Sequence, residues 1–357
     1  LARIGGDEFA ALLPHADAES ATRVARDLLG ALRDERITVP ATRDRTITAS
    51  VGVAMFDEAP GLTGEDTLVS ADLAMYDAKE AGRNQVALFH TDDHAQARMK
   101  GRVTWAERIA MAIQEERFTL VAQPIVELAT GRTTQFEVLL RMRDEDGDLI
   151  PPGAFLYIAE RLGMIDQIDE MTVAKSLRTV AAHDNGRASR VEINLSGASI
   201  GRPELLELIE SELQETGMDP SHVVFEITET AAISNLTRAR EFSEHLGKLG
   251  CRFALDDFGA GFGSFYYLKH VSFDFLKIDG EFVRDCVSSD TDRLVIQSVV
   301  GIARGLGRQT VAEHVGDEAT VELLRELGVD YGQGFYLGQP ITLERLLDEL
   351  PAADRQT

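Results

Sequence analysis

The chain has 357 residues, 44% of them apolar, with 60 acidic against 36 basic side chains and a formal net charge of −24. At about 100–200 residues per domain this suggests two domains, or one large barrel with an appendage, and the apolar share excludes a disordered chain. The charge excludes tight binding to a nucleic acid polymer or an anionic membrane, and any phosphate ester bound here must be met through a cation.

Only Cys251 and Cys286 occur, without a pairing pattern, which implies a reducing, cytoplasmic compartment. No apolar run reaches the roughly 18 residues of a membrane span, and no signal peptide is visible. The chain opens on Leu1 in mid-motif and is read as a fragment, which leaves a membrane anchor upstream open.

Residues 1–90 read as a small α/β unit. Phe9–Pro14 is an apolar run, Ala18–Arg33 has helical spacing, Thr46–Phe56 alternates like a strand, and Asp66–Gly82 reads as a helix closed by Gly82. Residues 91–104 are polar and read as a linker. From Trp105 to about residue 352 the pattern changes to eight apolar runs separated mostly by helical stretches. The runs are Leu120–Gln123, Gln135–Arg141, Val191–Ser196, Val223–Glu229, Arg252–Asp257, Phe275–Asp279, Thr310–Glu313 and Tyr331–Gly334. The clearest helix is Pro203–Thr216, opened by a proline and closed by Gly217. Strand and helix in alternation predict a parallel sheet, and about eight such units predict a TIM-like (β/α)8 barrel.

The strand ends carry the chemistry. Glu137, Asn194, Glu226, Glu229, Asp256, Asp257, Lys277, Asp279, Glu313 and Gln333 all stand in or at the ends of these runs. In such barrels the strand ends share one face, where active sites form. Carboxylates crowded there need compensation, and oxygen donors without clustered His or Cys point to Mg²⁺ or Mn²⁺ instead of zinc. The adjacent Asp256 and Asp257 suit two ions, and two metals about 3.5–4 Å apart suit in-line attack of water on a phosphodiester. Lys277 is placed to orient or deprotonate that water, or to neutralise developing charge.

Each residue also has a structural reading. A single acid at a strand end is usually solvated or caps a helix, and Asp279 suits such a cap. Glu229 reads as a loop anchor or a ligand, and Gln333 as a core amide or a substrate contact. The glycine-rich Gly259-Ala260-Gly261-Phe262-Gly263 matches no dinucleotide fingerprint and reads as a loop over the site. His183-Asp184 lacks further His at metal-site spacing and reads as a loop pair.

Residues 105 to about 350 resemble the EAL phosphodiesterase family, through "AQPIVEL", "FEVLLR", "INLS", "FEITE", "LDDFGAGFGS", "LKIDGEFV", "TVAEHV" and "GQGFYLGQP". The resemblance implies a modified TIM barrel that hydrolyses cyclic di-GMP to linear pGpG with two Mg²⁺ or Mn²⁺ ions, and a homodimer through this domain. It assigns Glu137, Asn194, Glu226 and Asp256 to one metal, and Asp256, Asp257 and Glu313 to the other. Lys277 resembles the lysine beside the attacking water. Gln123, Leu139, Arg141 and Gln333 resemble substrate contacts, and Glu229 the residue that holds the loop after Asp257. Val138 stands where the family usually has Ala, Ala260 for Thr, and Phe262-Gly263 for Tyr-Ser. His314 and Gly316 replace a Gly and a second Glu, and the lost carboxylate is expected to weaken the second metal's surroundings.

Residues 1–90 resemble the C-terminal half of a GGDEF diguanylate cyclase domain, through "RIGGDEFA", "ITASVGVA" and "ADLAMYDAKEAGRNQV". By that resemblance Gly5 and Gly6 form the nucleotide-binding turn, Asp7 is a metal ligand, Glu8 the acid at the reaction centre, and Lys79 and Arg83 phosphate contacts. A complete domain of this kind would take GTP. This part lacks the family's first half and is expected not to cyclise it. Two rivals stand beside a phosphodiesterase: a barrel that binds cyclic di-GMP without cutting it, and a bifunctional parent whose output is the cyclase.

Overall fold

The computed structural model describes residues 1–5, 8–34, 36–37, 45–46, 48–56, 64, 67–68, 70–71, 74–75, 78, 84–89, 106–144, 147–183, 189–259 and 265–350. The chain forms two compact units, Leu1–Glu107 and Arg108–Thr357.

In the first unit, strands Ala2–Gly5 and Glu8–Ala10 pair antiparallel. Helix Ala18–Asp34 begins where Asp17 accepts the Ser20 N–H at 2.8 Å. Its buried residues Ala21, Ala25 and Leu29 recur every four positions, one helical face. That helix lies against strands Val51–Val53 and Val86–Leu88, which pair in parallel. A Cβ at Gly52 would stand 1.8 Å from the Ala71 carbonyl oxygen, so the close approach of the backbone at residue 71 requires glycine there. The segment read as a helix over 66–82 is helical at each described position between 67 and 78, and Gly82 lies outside the described residues.

In the second unit eight strands close a barrel among the described residues. They are β1 (Phe118–Glu127), β2 (Arg132–Arg143), β3 (Arg190–Asn194), β4 (Val223–Thr228), β5 (Arg252–Phe258), β6 (Phe275–Ile278), β7 (Gln309–Ala312) and β8 (Tyr331–Gln333). Each falls on one of the eight apolar runs. Neighbours from β2 to β8 pair in parallel, but β1 runs antiparallel to both β2 and β8. The all-parallel expectation is corrected at that strand. The reason is local: four residues, 128–131, join β1 to β2, with Gly131 at φ +71°, and a hairpin turn of that length cannot make a parallel crossover.

Inside the barrel, Ile125, Val224, Ala254, Phe275, Val311 and Tyr331 form an apolar plug. Outside it, α1 (Ile165–His183) packs on α2 (Pro203–Thr216). Buried Val173, Leu177, Leu205 and Ile209 serve this outer layer, each contributing about 1.5–3 kcal/mol by its removal from water. The residue after α2, Gly217, is left-handed at φ +67°, which ends the helix where the sequence predicts.

Candidate active site

The parallel strands bring their C-terminal ends to one mouth. Glu137 on β2 is nearly sealed, Glu226 on β4 and Lys277 on β6 are fully buried, and Gln333 closes β8. The antiparallel β1 meets β2 with Gln123 opposite Glu137, so the reversed strand also delivers its amide to the site.

Lys277 Nζ is the centre of the cluster. It lies 2.6 Å from Glu226, 2.9 Å from Glu313, 3.3 Å from Asp256 and 3.5 Å from Glu137. Burial works against its charge, but Asp256, Glu137, Glu226 and Glu313 together hold its pKa well above the ordinary lysine value. Asn194 donates to Glu137 at 2.5 Å. Gln333 donates to the other Glu137 oxygen at 2.7 Å and to Gln123 at 3.2 Å, while Gln123 donates to the Gly338 carbonyl. Amide donors on both oxygens orient the Glu137 carboxylate.

Asp256, Asp257 and Glu313 each present a carboxylate oxygen within 4.8 Å of the others. Asp257 reaches this arrangement through a left-handed backbone, φ +55°, a conformation that costs a non-glycine residue on the order of 1 kcal/mol. Burial, Asp256 and Asp279 raise its pKa to about 6, and burial raises Glu313 to about 8. Burial also pushes Glu226 well above the carboxylate range, and its Oε2 has no hydrogen-bond donor. These are properties of a donor set short of positive charge. Among the described residues the ligand groups that converge here are oxygen donors, so the set fits a hard divalent cation.

Other expected residues occupy supporting positions. Glu229 accepts from the Gly259 N–H at 3.0 Å and from the Tyr267 hydroxyl at 2.8 Å, on either side of the glycine-rich segment. Residues 260–264 themselves lie outside the described residues. Asp279 caps the short helix Gly280–Arg284. Arg141 donates to the Leu140 carbonyl, with its pKa lowered by burial despite Glu137 nearby, and Leu139 is half-buried. His314 is left-handed at φ +55°, where the resembled family has glycine. A Cβ on Gly280 would stand 2.2 Å from its Nδ1, so the imidazole lies directly over residue 280. In the first unit, Gly5 ends one strand and Glu8 begins the next, while Gly6, Asp7, Lys79 and Arg83 lie outside the described residues.

Two groups escaped the sequence reading. Glu192 on β3 is fully buried, and burial raises its pKa to about 7. Its signal was present: it precedes Asn194 by two residues and shares its face of the strand. Asp169 on α1 accepts from the Ser196 N–H at 2.9 Å, and beside it Glu160 accepts from the Ser196 hydroxyl at 2.7 Å. These acids hold the turn that follows Asn194. Nothing in the helical pattern distinguishes them.

Fold and site define a class: a closed barrel of parallel strands with one reversed, carrying a carboxylate cluster for cations at its mouth. The EAL domain model matches residues 106–340, and the chain belongs to that family. The model for the diguanylate cyclase GGDEF domain matches residues 1–85. The cyclic di-GMP phosphodiesterase PdeB of Shewanella oneidensis is 33% identical over 345 residues, 95% of this chain and 40% of the relative. The bifunctional diguanylate cyclase/cyclic di-GMP phosphodiesterase MucR of Pseudomonas aeruginosa is 32% identical, over 97% of this chain and 50% of the relative. The chain therefore spans half or less of the length of these relatives. The solved PaMucR phosphodiesterase in complex with c-di-GMP is similar at 30% identity and a TM-score of 0.64, covering 68% of this chain and 99% of that one.

Proposed function

We propose that the barrel hydrolyses cyclic di-GMP to linear pGpG with two divalent cations, Mg²⁺ or Mn²⁺. The observation that carries this reading is the convergence of Glu137, Glu226, Asp256 and Glu313 on one cationic point, with Asp257 held beside them in a strained conformation. Glu137, Asn194, Glu226 and Asp256 would hold one ion, and Asp256, Asp257 and Glu313 the other. When bound, the ions supply Lewis-acid polarisation of the phosphodiester and a water of lowered pKa. Hydrolysis would add one water across a P–O bond of the ring, its oxygen ending on phosphorus and its proton on the leaving ribose oxygen.

The surrounding side chains set the geometry of this step. Lys277, whose acidic neighbours favour its protonated form, is placed to donate to the attacking water or to a non-bridging oxygen. Gln333 and Asn194 fix Glu137, Glu229 anchors the segment after Asp257, and Gln123, Leu139, Arg141 and Gln333 meet the substrate. The protein works in a reducing, cytoplasmic compartment, in keeping with its two free, buried cysteines. Among the described residues no helix is long and apolar enough to cross a membrane. Pairing of two copies through the barrel, and GTP turnover by a complete GGDEF domain, belong to the same proposal for the whole protein.

Gly316 favours a second reading, a barrel that binds cyclic di-GMP with little turnover, because a carboxylate usual in the family is missing there. Turnover of cyclic di-GMP by the wild-type chain with Mg²⁺ or Mn²⁺ separates the two, and Glu137→Ala and Asp256→Ala test the ligand set. Each should keep the native circular dichroism spectrum and lose at least about a hundredfold in turnover. Wild-type rates in either variant would overturn the ligand assignment at that position.

A further inference from the structure

Glu192 has no role in the mechanism above, yet it occupies a costly place. It is 0% exposed and stands opposite Glu137 on β2 and Val224 on β4. Val224 belongs to the apolar plug, so Glu192 lies between that plug and the acidic mouth. Among the described residues no donor reaches its carboxylate oxygens except a proton shared with the Glu226 carboxyl. Its close neighbour is another carboxylate, Glu226, whose Oε2 is likewise without a donor, and Glu137 and Asp256 add further negative charge. Lys277 acts on Glu192 too, but its ammonium is already shared among four other carboxylates.

Two buried carboxylates in contact are strongly disfavoured unless they share a proton or a cation serves both. Interior barrel positions are ordinarily filled by Val, Ile or Leu, which carry no such penalty. We propose that Glu192 is an inner ligand of the cation held by Glu226 and Asp256, reaching it from inside the barrel and raising the affinity of that site for a divalent metal. The inference rests on the metal assignment made above and deepens it.

The test is Mn²⁺ binding to the full 357-residue chain without substrate, by calorimetry and by the electron paramagnetic resonance of free Mn²⁺. Wild type, Asp256→Asn, Glu192→Gln and Glu192→Leu are compared. Wild type should bind Mn²⁺ and Asp256→Asn should lose it. Glu192→Gln, nearly the same shape without the charge, should bind one Mn²⁺ about tenfold more weakly. Glu192→Leu should match that loss while melting at a higher temperature than wild type in the absence of metal, which covers the case of a Gln variant that folds poorly. Mn²⁺ binding by both Glu192 variants within twofold of wild type, with Asp256→Asn impaired, would overturn the inference alone. Equal binding by wild type and Asp256→Asn would overturn the metal assignment, and the inference with it.

Discussion

Lys277 Nζ lies 2.6 Å from Glu226 Oε1, and both side chains are sealed from solvent. A buried ammonium with this many acidic neighbours has two consequences. It keeps the donor set together without metal, and its removal leaves uncompensated buried charge. Lys277→Met should therefore lose about 3–5 kcal/mol of stability in chelator. Mn²⁺ should restore part of this, about 2.7 kcal/mol at a hundredfold excess over its dissociation constant. Turnover should fall by about two to three orders of magnitude even with metal present. Thermal melts with chelator and with Mn²⁺ check this. An unchanged melting temperature in chelator would contradict the role given to the lysine.

Asp169 predicts a pH dependence. Burial raises its pKa from 3.8 to about 7, against the lowering effect of Ser199 and the Ser196 N–H. The folded protein then binds this proton more tightly than the unfolded chain, so this group's contribution to stability is full below pH 4 and is lost as pH rises from about 4 to about 7. Asp169→Asn, which keeps an acceptor for the Ser196 N–H, should remove this part of the decline. The variant should gain on wild type steadily between pH 5 and 7, by on the order of 2–3 kcal/mol, and level off above that. Denaturant melts at several pH values measure it, and parallel curves for the two proteins would refute it.

Much of this was legible in the sequence, and the exceptions share a cause. The eight strands were readable because short apolar runs end in polar residues, and Pro203 and Gly217 mark α2 chemically. The direction of β1 was not readable, since a period of two is the same in either sense and only the short turn at residues 128–131 decides it. The clustered acids were legible as a set, because each interrupts an apolar run at its end. Glu192 sits inside its run and looks like the polar half of an ordinary alternating strand. Asp169 is one of several acids on α1, and it is set apart only in the fold, where it is buried and accepts from the Ser196 N–H.

Glu229 bridges Gly259 and Tyr267 across the loop that follows the adjacent aspartates. Glu229→Ala should release both contacts, lower kcat by more than about tenfold, and leave Mn²⁺ affinity near wild type. Glu229→Gln, able to accept one of the two hydrogen bonds, should fall between them. Equal kcat in all three proteins would remove Glu229 from the account, and a loss of Mn²⁺ affinity in step with kcat would make it a ligand and not an anchor.

Gly316 has open space for a Cβ where the family usually carries a carboxylate. Among the described residues, a Cβ built there meets only the His314 carbonyl oxygen, at 3.9 Å. Without that carboxylate, Mn²⁺ should outperform Mg²⁺, which demands stricter geometry and dehydrates reluctantly. Gly316→Glu should lower the metal concentration for half-maximal activity and narrow the gap between the two ions. Superimposable metal titrations of the two proteins would mean that this departure has no functional consequence.

The central claim is metal-dependent cleavage by the barrel itself. The purified chain, stripped of metal, is incubated with cyclic di-GMP in chelator, in Mg²⁺ and in Mn²⁺, and the nucleotides are separated by chromatography. Accumulation of linear pGpG in Mn²⁺ and Mg²⁺, abolished by chelator, is the predicted result. Intact cyclic di-GMP under every metal condition, from protein that still binds it, would contradict the claim and leave a receptor.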